Sequence, residues 1–314
     1  MQYGFGIDIG GTAVKLGLFT QDGALVEKWE IPTRTEEGGA YILPDIAQAV
    51  TGCLHRRGIA QCLGIGLGVP GPVSPSGVVN RCVNLGWGVF NIHEVLGKAT
   101  GLPVKAANDA NVAALGECWA GGGQGWENLV LVTLGTGIGG GVVLGGRILY
   151  GAHGAAGEIG HLPSNPAETE VCGCGKTGCA EQYGSATGIL RLARRYLAET
   201  DTPSALRAMD NYSCKDIFTL TQDPGAGAIR ERYFDFLGRF LAQVCCVVDP
   251  EAVVLGGGVS KAGQALLDGV QAAYRRYAFH ASRDTKFALA TLGADAGIYG
   301  GMKLVLDEFG GTKR

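Results

Sequence analysis

The sequence lacks the features that mark exported, membrane-spanning and nucleic-acid-binding proteins. No apolar run approaches the roughly eighteen residues needed to cross a bilayer. The residues before Tyr3 show no basic region followed by an apolar one, so no export signal is expected. Acidic and basic residues nearly balance at 29 against 26, which gives no reason to expect nucleic acid or an anionic membrane as a partner.

Charged residues are scarce, at 18%, whereas glycine is abundant, with 54 of 314 residues. The apolar fraction is ordinary and no Gly-X-Y period appears, which excludes disorder and collagen. The glycines indicate many tight turns and close backbone approaches, and the length allows two domains. Ten cysteines without an export signal favour a reducing compartment with free or metal-bound thiols. We therefore expect a cytoplasmic protein.

The most informative spacing in the chain lies between residues 157 and 184. A Cys₃His set is typical of a tetrahedral zinc site, and a site closed by four protein ligands is usually structural. A disulfide or a cluster of buried free thiols is the alternative, although the first two thiols are too close along the chain to bridge without strain. The four candidate ligands are His161, Cys172, Cys174 and Cys179.

Two carboxylates flank this spacing. Glu158 stands just before the histidine and Glu181 just after the last cysteine. An acidic pair beside a rigid zinc knuckle suits a hydroxyl-rich ligand better than an anionic one.

Two glycine turns occur in the chain, and each lies between two consecutive predicted strands. Gly10-Gly11-Thr12 follows a strand that ends in Asp8, and Gly135-Thr136-Gly137 lies 125 positions later in a similar unit. Bare backbone amides can hold phosphate oxygens, and a carboxylate can hold a metal through water, although most such turns are only turns. The repetition predicts an internal duplication, with two lobes that each offer a phosphate-holding hairpin to a shared cleft.

A dinucleotide-binding fingerprint is formally present around the second turn, at Gly135, Gly137 and Gly140. That fingerprint requires a helix after the turn, whereas the residues from Val142 onward favour a strand. We therefore exclude a Rossmann site.

Three further segments have both a functional and an ordinary interpretation. Asp109 lies between a short strand and a helix predicted over Val112 to Trp119, where it could cap the helix or serve as a general base. The polar loop with Asn84 and Trp87 could bind a sugar or cap its own backbone. The glycines before Ser260, a predicted N-cap, could admit a nucleotide or form an ordinary strand-to-helix turn.

Taken together, these motifs resemble those of the ROK family of bacterial sugar kinases and repressors, within the actin and hexokinase-like fold. The resemblance implies a two-lobed α/β fold of the ribonuclease H-like class with a zinc knuckle. A small lobe would comprise residues 1–107 and 297–314, and a large lobe residues 108–296. The resemblance to the family rests on the following segments: Asp8–Thr12, Asn108-Asp109, Leu134–Gly140, Gly157–His161, the three cysteines of the knuckle and Leu255–Gly258.

The resemblance also implies the activity and the site. The protein would phosphorylate a hexose at its 6-hydroxyl with ATP, glucose being the first expectation, and Asp109 would be the general base. The sugar would contact Gly71, Asn84, Asn108, Asp109, Glu158, His161 and Glu181. ATP and Mg²⁺ would be held by Asp8, Gly10, Gly11, Thr12, Lys15, Gly135, Thr136, Gly137, Gly256, Gly257 and Gly258. Structural zinc would be held by His161, Cys172, Cys174 and Cys179.

Other family activities stay open on the sequence alone. N-acetylmannosamine and N-acetylglucosamine kinases are alternatives, as is a non-catalytic sugar sensor. Family repressors carry a helix-turn-helix domain before the first glycine turn, and only seven residues precede Asp8 here. A zinc-knuckle nucleic-acid binder would need a basic face, which the acidic balance opposes. The resemblance further implies a homodimer or a higher homo-oligomer.

Overall fold

The computed structural model of the protein describes residues 2–311. The strands are β1 (Tyr3–Ile9), β2 (Ala13–Thr20), β3 (Leu25–Pro32), β4 (Cys62–Val69), β5 (Val78–Cys82), β6 (Trp87–Asn91), β7 (Val104–Asn108), β8 (Leu129–Leu134), β9 (Ile138–Leu144), β10 (Arg147–Ile148), β11 (Ala252–Gly256) and β12 (Lys286–Leu289). The helices are α1 (Glu36–Gly39), α2 (Ile42–Arg57), α3 (Ile92–Thr100), α4 (Asp109–Ala120), α5 (Glu181–Gly184), α6 (Ala186–Glu199), α7 (Cys214–Thr219), α8 (Pro224–Val248), α9 (Gln264–Tyr277) and α10 (Ala296–Phe309).

The two large sheets share one topology. The first has the strand order β3-β2-β1-β4-β7 and the second β10-β9-β8-β11-β12. In each sheet an antiparallel hairpin is followed by parallel strands, with β1 and β8 in corresponding positions. The repeated order confirms the predicted two-sheet α/β fold and agrees with the predicted internal duplication.

Contacts divide the chain into two units. Unit 1 comprises the residues up to Glu127, Gly141–Gly157 and the residues from Leu292 onward, and unit 2 comprises Asn128–Gly140 and Glu158–Thr291. These limits differ from those predicted for the two lobes, since the large lobe was predicted to begin at residue 108. The physical reason is that α4 packs tightly against α10, so both helices belong to unit 1.

The core of unit 1 forms on the first sheet. β4 is apolar along most of its length, as expected of a parallel strand covered on both faces. One face of the sheet packs against buried residues of α2 and α3, among them Ile46, Val50 and Leu96. The edge strand β3 instead alternates between partly buried and exposed residues, which is the pattern of a strand with one face in solvent.

Glycines allow α10 to approach the sheet and α4 at backbone distance. A Cβ atom on Gly66 of β4 would overlap the carbonyl oxygen of Gly301, and one on Gly300 would overlap that of Val112 in α4. The excess of glycine noted in the sequence therefore has a packing role here, in addition to its role in turns.

Unit 2 contains the parallel strands β8, β11 and β12 with helices α5 to α9. The long helix α8 begins where Asp223 accepts a hydrogen bond from the Ala226 amide, with Pro224 in its first turn. Its predicted apolar positions are buried, and the Tyr233 hydroxyl donates a 2.7 Å hydrogen bond to the Gly184 carbonyl. This bond links α8 to α5.

Three local predictions need correction. Helix α4 begins at Asp109 instead of Val112, because Asn108 caps it. The helix predicted from Lys261 begins at Gln264, after a 3₁₀ turn in which the Ser260 hydroxyl donates to the Gly257 carbonyl, so Ser260 is not its N-cap.

The predicted polar loop contains the β5–β6 hairpin, in which Trp87 is buried and donates its indole N–H to the Gly39 carbonyl. Trp87 is therefore a core residue and not a sugar platform.

Among residues 2–311, no helix combines the length and the apolar character that crossing a bilayer requires.

Substitution of the packed glycines tests the close approach of α10. Gly300→Ala should lower the free energy of unfolding by roughly 3 kcal/mol or more, because the new methyl group overlaps the backbone of α4. Gly52→Ala in α2 is the matched control, since only the end of the Arg56 side chain lies near its Cβ position. It should stabilise by up to about 1 kcal/mol. Urea unfolding measures both, and equal effects of the two substitutions would contradict the packing.

Candidate active site and metal cluster

The junction between β7 and α4 positions the predicted general base. Asn108 ends β7, and its side-chain oxygen accepts hydrogen bonds from the amides of Ala110 at 3.0 Å and Asn111 at 3.2 Å. Asp109 is the first residue of the helix, where its Oδ1 accepts a 2.8 Å bond from the Ala110 amide. A helix N-terminus favours a negative charge at this position. The carboxylate is thus fixed at the carboxyl end of a parallel strand, where active sites of α/β sheets lie.

Neighbouring strands bring other predicted residues to the same edge of the first sheet. The register pairs Asp8 of β1 with Gly68 of β4, and Gly68 with Ala107 of β7. Gly71 follows β4, and its carbonyl oxygen lies 3.5 Å from the side-chain nitrogen of Asn108. Unit 1 therefore gathers Asp8, Gly71, Asn108 and Asp109 at the ends of three adjacent strands.

Asn84 occupies a different kind of position. It is exposed in the 3₁₀ turn Val83–Leu85, directly after Cys82, whose thiol contacts the Pro70 carbonyl at 2.9 Å. Its predicted contact with a sugar stays a prediction.

Asp8 and Lys15 face one another across the β1–β2 hairpin, on either side of the first glycine turn. Burial raises the pKa of Asp8, while the charge of Lys15 opposes that rise. A bound cation would favour the ionised carboxylate in the same way, so this position fits a group that acts near Mg²⁺. In the turn itself, the Gly10 amide donates to the Ala13 carbonyl at 3.0 Å, and the Cβ position of Gly11 is unobstructed.

The second glycine turn is closed in the same way, with the Gly135 amide donating to the Gly137 carbonyl at 3.0 Å. A side chain at Gly137 would overlap the Oε2 atom of Glu181. A predicted phosphate-binding turn and a predicted sugar ligand are therefore in direct proximity within unit 2. Gly257 directly follows β11 and has a φ of +84°, and its Cβ position is blocked by the backbone of Leu134. The turn after β11 therefore also requires glycine.

A cavity of about 670 Å³ in unit 2 joins several predicted site residues. The second glycine turn, Glu181 and Cys172, one of the predicted metal ligands, contribute to its walls, together with cationic residues of α6. Its lining is Thr136, Gly137, Glu170, Val171, Cys172, Gly173, Glu181, Gln182, Thr187, Arg191, Arg194 and Arg195.

The four predicted metal ligands converge. One donor atom from each of His161, Cys172, Cys174 and Cys179 lies within 4.8 Å of the others. The thiols of Cys174 and Cys179 are 3.5 Å apart, and Nδ1 of His161 is 3.8 Å from the Cys172 thiol. In a tetrahedral zinc site with metal–sulfur distances of about 2.3 Å, neighbouring sulfurs lie about 3.8 Å apart. The donor set and its spacing therefore fit zinc.

The two flanking carboxylates contact this cluster in different ways. Glu181 Oε1 is 2.8 Å from the Cys172 thiol and 3.7 Å from Nδ1 of His161. The other ring nitrogen of His161, Nε2, lies 3.9 Å from Glu158 Oε2. The imidazole thus turns Nδ1 toward the thiols and leaves Nε2 on the side of Glu158.

A buried ionic network supports the knuckle, and the sequence analysis did not find it. The Glu168 side chain is 2% exposed and pairs with Arg191 of α6, whose side chain is 18% exposed. Glu168 also accepts a hydrogen bond from the Tyr183 hydroxyl, which in turn accepts one from Asn165 at 2.8 Å. Neither Glu168 nor Arg191 belongs to a recognisable motif, so only the structure could reveal the pair.

Asn111 is a second residue without an assigned role in the sequence analysis. It is 2% exposed, accepts a 3.2 Å bond from the Val142 amide and donates a 3.1 Å bond to the Ala156 carbonyl. It therefore ties α4, one turn after the cap, to two other segments of unit 1.

Known proteins resemble this chain over nearly its whole length. A model of the ROK family matches residues 4–308. A glucokinase of Halalkalibacterium halodurans is 42% identical over 312 residues, which cover 96% of this chain and 94% of that protein. A glucokinase of Thermotoga maritima is 33% identical over 314 residues, 98% of each protein. The crystal structure of a ROK family glucokinase from Streptomyces griseus, in complex with glucose and AMPPNP, matches with a TM-score of 0.73 and 31% identity, covering 96% of this chain and 98% of that one.

The Glu168 network yields a stability prediction. Arg191→Leu should lower the free energy of unfolding by roughly 3 kcal/mol, because it removes the nearest cation from a buried carboxylate. Arg195→Leu is the control, since that side chain is 47% exposed and lies farther from Glu168, at 3.7 Å, so its pairing is weaker and better screened by solvent. It should cost less than about 1 kcal/mol. Chemical denaturation of both variants measures this, and similar losses would show that Arg191 is not the main partner.

Proposed function

This chain belongs to the ROK family, and we propose that it is a kinase that transfers the γ-phosphoryl group of ATP to the 6-hydroxyl of a hexose, with glucose preferred. The observation that carries the proposal is the position of Asp109 at the carboxyl end of β7, fixed by the cap at Asn108. Glucose is favoured over the amino sugars because a glucokinase relative is 42% identical to this chain, whereas an N-acetylgalactosamine kinase and an N-acetylmannosamine kinase are 32% and 33% identical over similar spans.

We assign the proton transfer to Asp109. Its carboxylate would take the proton of the sugar 6-hydroxyl as that oxygen attacks the γ-phosphorus. The bond between the γ-phosphorus and the bridging oxygen would break, and ADP would leave with the electron pair. Phosphoryl transfer depends mainly on alignment and on charge stabilisation. A base on a rigid strand-to-helix junction would serve the first need. Amides of the two glycine turns other than those of Gly10 and Gly135, which donate within their turns, would serve the second, together with Lys15 and a Mg²⁺ ion held near Asp8.

The sugar ligands that we propose are Glu158, His161 and Glu181 in unit 2, and Gly71, Asn84 and Asn108 in unit 1. Zinc would bind Nδ1 of His161, since that nitrogen faces the thiols. This would fix the proton on Nε2, which could then donate to a sugar hydroxyl. The adenosine would contact Gly256, Gly257 and Gly258. The homo-oligomer and the cytoplasmic location predicted from the sequence remain proposals.

The activity is tested by ADP release with Mg²⁺-ATP across aldoses, ketoses and N-acetylated amino sugars. We expect glucose to give the highest kcat/KM. Asp109→Asn should lower kcat on glucose by roughly 10² to 10⁴, the usual effect of removing a general base, and should leave glucose binding intact. Asp268→Asn, an exposed aspartate of α9, is the control and should retain full turnover.

Two outcomes would contradict the proposal. Near-normal turnover of Asp109→Asn would exclude that residue as the base. Absence of turnover on every sugar, in a protein that binds glucose, would favour a sugar sensor over an enzyme.

Metal analysis tests the proposed zinc. The purified protein should contain about one zinc per chain, since four donors complete a closed site. Cys174→Ser should lose most of that zinc, whereas Cys246→Ser, which removes an exposed thiol of α8, should retain it. Burial raises the pKa of the Cys172 and Cys179 thiols, so zinc must displace protons and its affinity should fall as the pH is lowered. A full zinc content in Cys174→Ser would reject the assigned ligand set.

A further inference from the structure

His93 makes an unusual bond to the strand that ends at the proposed base. It is the second residue of α3, and its Nε2 accepts a hydrogen bond of 3.0 Å from the backbone amide of Ala106 in β7. An amide can only donate, so Nε2 must be unprotonated for this bond to exist. No motif of the sequence analysis included His93.

The Ala106 amide needs such a partner because of its place in the sheet. β7 is the edge strand of the first sheet and is paired on one side only, with β4. Ala106 is nevertheless fully buried, so water cannot replace a lost bond. A buried amide without an acceptor is destabilising, and the strand would have to shift or open to satisfy it.

We infer that His93 is a positioning residue for the proposed kinase reaction: its neutral imidazole holds the outer edge of β7 and so sets the position of Asn108 and Asp109. Ala106 precedes these residues by two and three positions on a short strand. A displacement at Ala106 therefore reaches the cap and the carboxylate directly. The inference rests on the proposed function, since Asp109 is the base only if the protein is a kinase.

The surroundings of His93 are built around the ring. Gly77 has a φ of +86°, and a Cβ atom there would overlap the imidazole. The Gly77 carbonyl accepts a 2.9 Å bond from the Ile92 amide, and Asn91 donates to the Ser76 carbonyl at 3.1 Å, so the loop before β5 is tied to the start of α3. The imidazole is therefore confined by Gly77 as well as bonded to Ala106.

The charged groups that face His93 are Lys105 of β7 and Glu308 of α10. They lie 3.3 Å apart, and Lys105 also donates to the Pro75 carbonyl. Burial, reinforced by Lys105 and opposed by Glu308, lowers the pKa of His93 from 6.5 to about 4. The unfolded chain therefore takes up this proton near pH 6.5, whereas the folded protein does so only near pH 4. The contribution of His93 to the free energy of unfolding is therefore complete above pH 6.5 and is lost as the pH falls toward 4.

The bond itself can be measured on the protein without substrate. In the protein carrying ¹⁵N-labelled histidine, NMR should show an unprotonated Nε2 for His93 at pH 7 that stays unprotonated to below pH 5. A His93 that titrates near pH 6.5, or that carries its proton on Nε2, would overturn the inference whether or not the protein is a kinase.

A pair of variants tests the positioning role. His93→Leu removes the acceptor, whereas His93→Gln places an amide oxygen at a similar reach and cannot titrate. We expect His93→Leu to lower kcat on glucose by roughly tenfold to a hundredfold, the loss that follows a small misplacement of a catalytic group. The KM for ATP should stay within twofold, and His93→Gln should restore at least half of kcat. His55→Leu, at an exposed histidine of α2, is the control and should behave as the wild type.

The outcomes separate positioning from general destabilisation and from failure of the proposed function. If His93→Leu has wild-type kcat per folded molecule and only a lower denaturation midpoint, His93 is structural and the inference fails. The inference also fails if His93→Gln is as slow as His93→Leu. If the wild type phosphorylates no hexose, the proposed function fails, while the NMR titration still decides whether the bond to Ala106 exists.

Discussion

The parallel alignment of β1, β4 and β7 is the constraint on which the chemistry of unit 1 depends. Because these strands run in the same direction, the segments that leave them all begin at one edge of the sheet. Asp8, Gly71 and Asp109 are far apart in the sequence, yet each lies within two residues of the carboxyl end of one of these strands. The backbone pairing thus brings the polar groups together, and the caps and turns then orient them.

Unit 2 reaches a comparable arrangement by different means. Its proposed sugar and metal ligands lie mostly in the segment between β10 and α5, where a regular hydrogen-bond ladder is not available. The four predicted metal ligands converge within this segment, and the buried Glu168–Arg191 pair ties it to α6. The loop can therefore hold Glu158 and His161 in fixed positions although it has little secondary structure.

Much of this could be predicted from the sequence, because the relevant signals are local. Alternating strands and glycine turns, the Cys₃His spacing and the helical pattern of α8 each depend on residues close together in the chain. Trp87 was misjudged because its burial depends on Gly39, which lies 48 positions away. His93 and Glu168 were missed for a similar reason: a histidine acceptor for an edge amide and a buried ion pair have no spacing rule. The contact between α4 and α10 also has no local sequence signal, so the predicted limits placed these two helices in different lobes.

The contact between Glu181 and Gly137 has a consequence for the order in which substrates would bind. The carboxylate of Glu181 occupies the space beside a glycine turn proposed to receive phosphate. A sugar hydroxyl that draws this carboxylate toward itself would clear that space and remove a negative charge from the path of the nucleotide. Sugar and ATP would then reinforce one another's affinity, and the vacant protein would repel the nucleotide until the acceptor had arrived, which would limit wasteful hydrolysis.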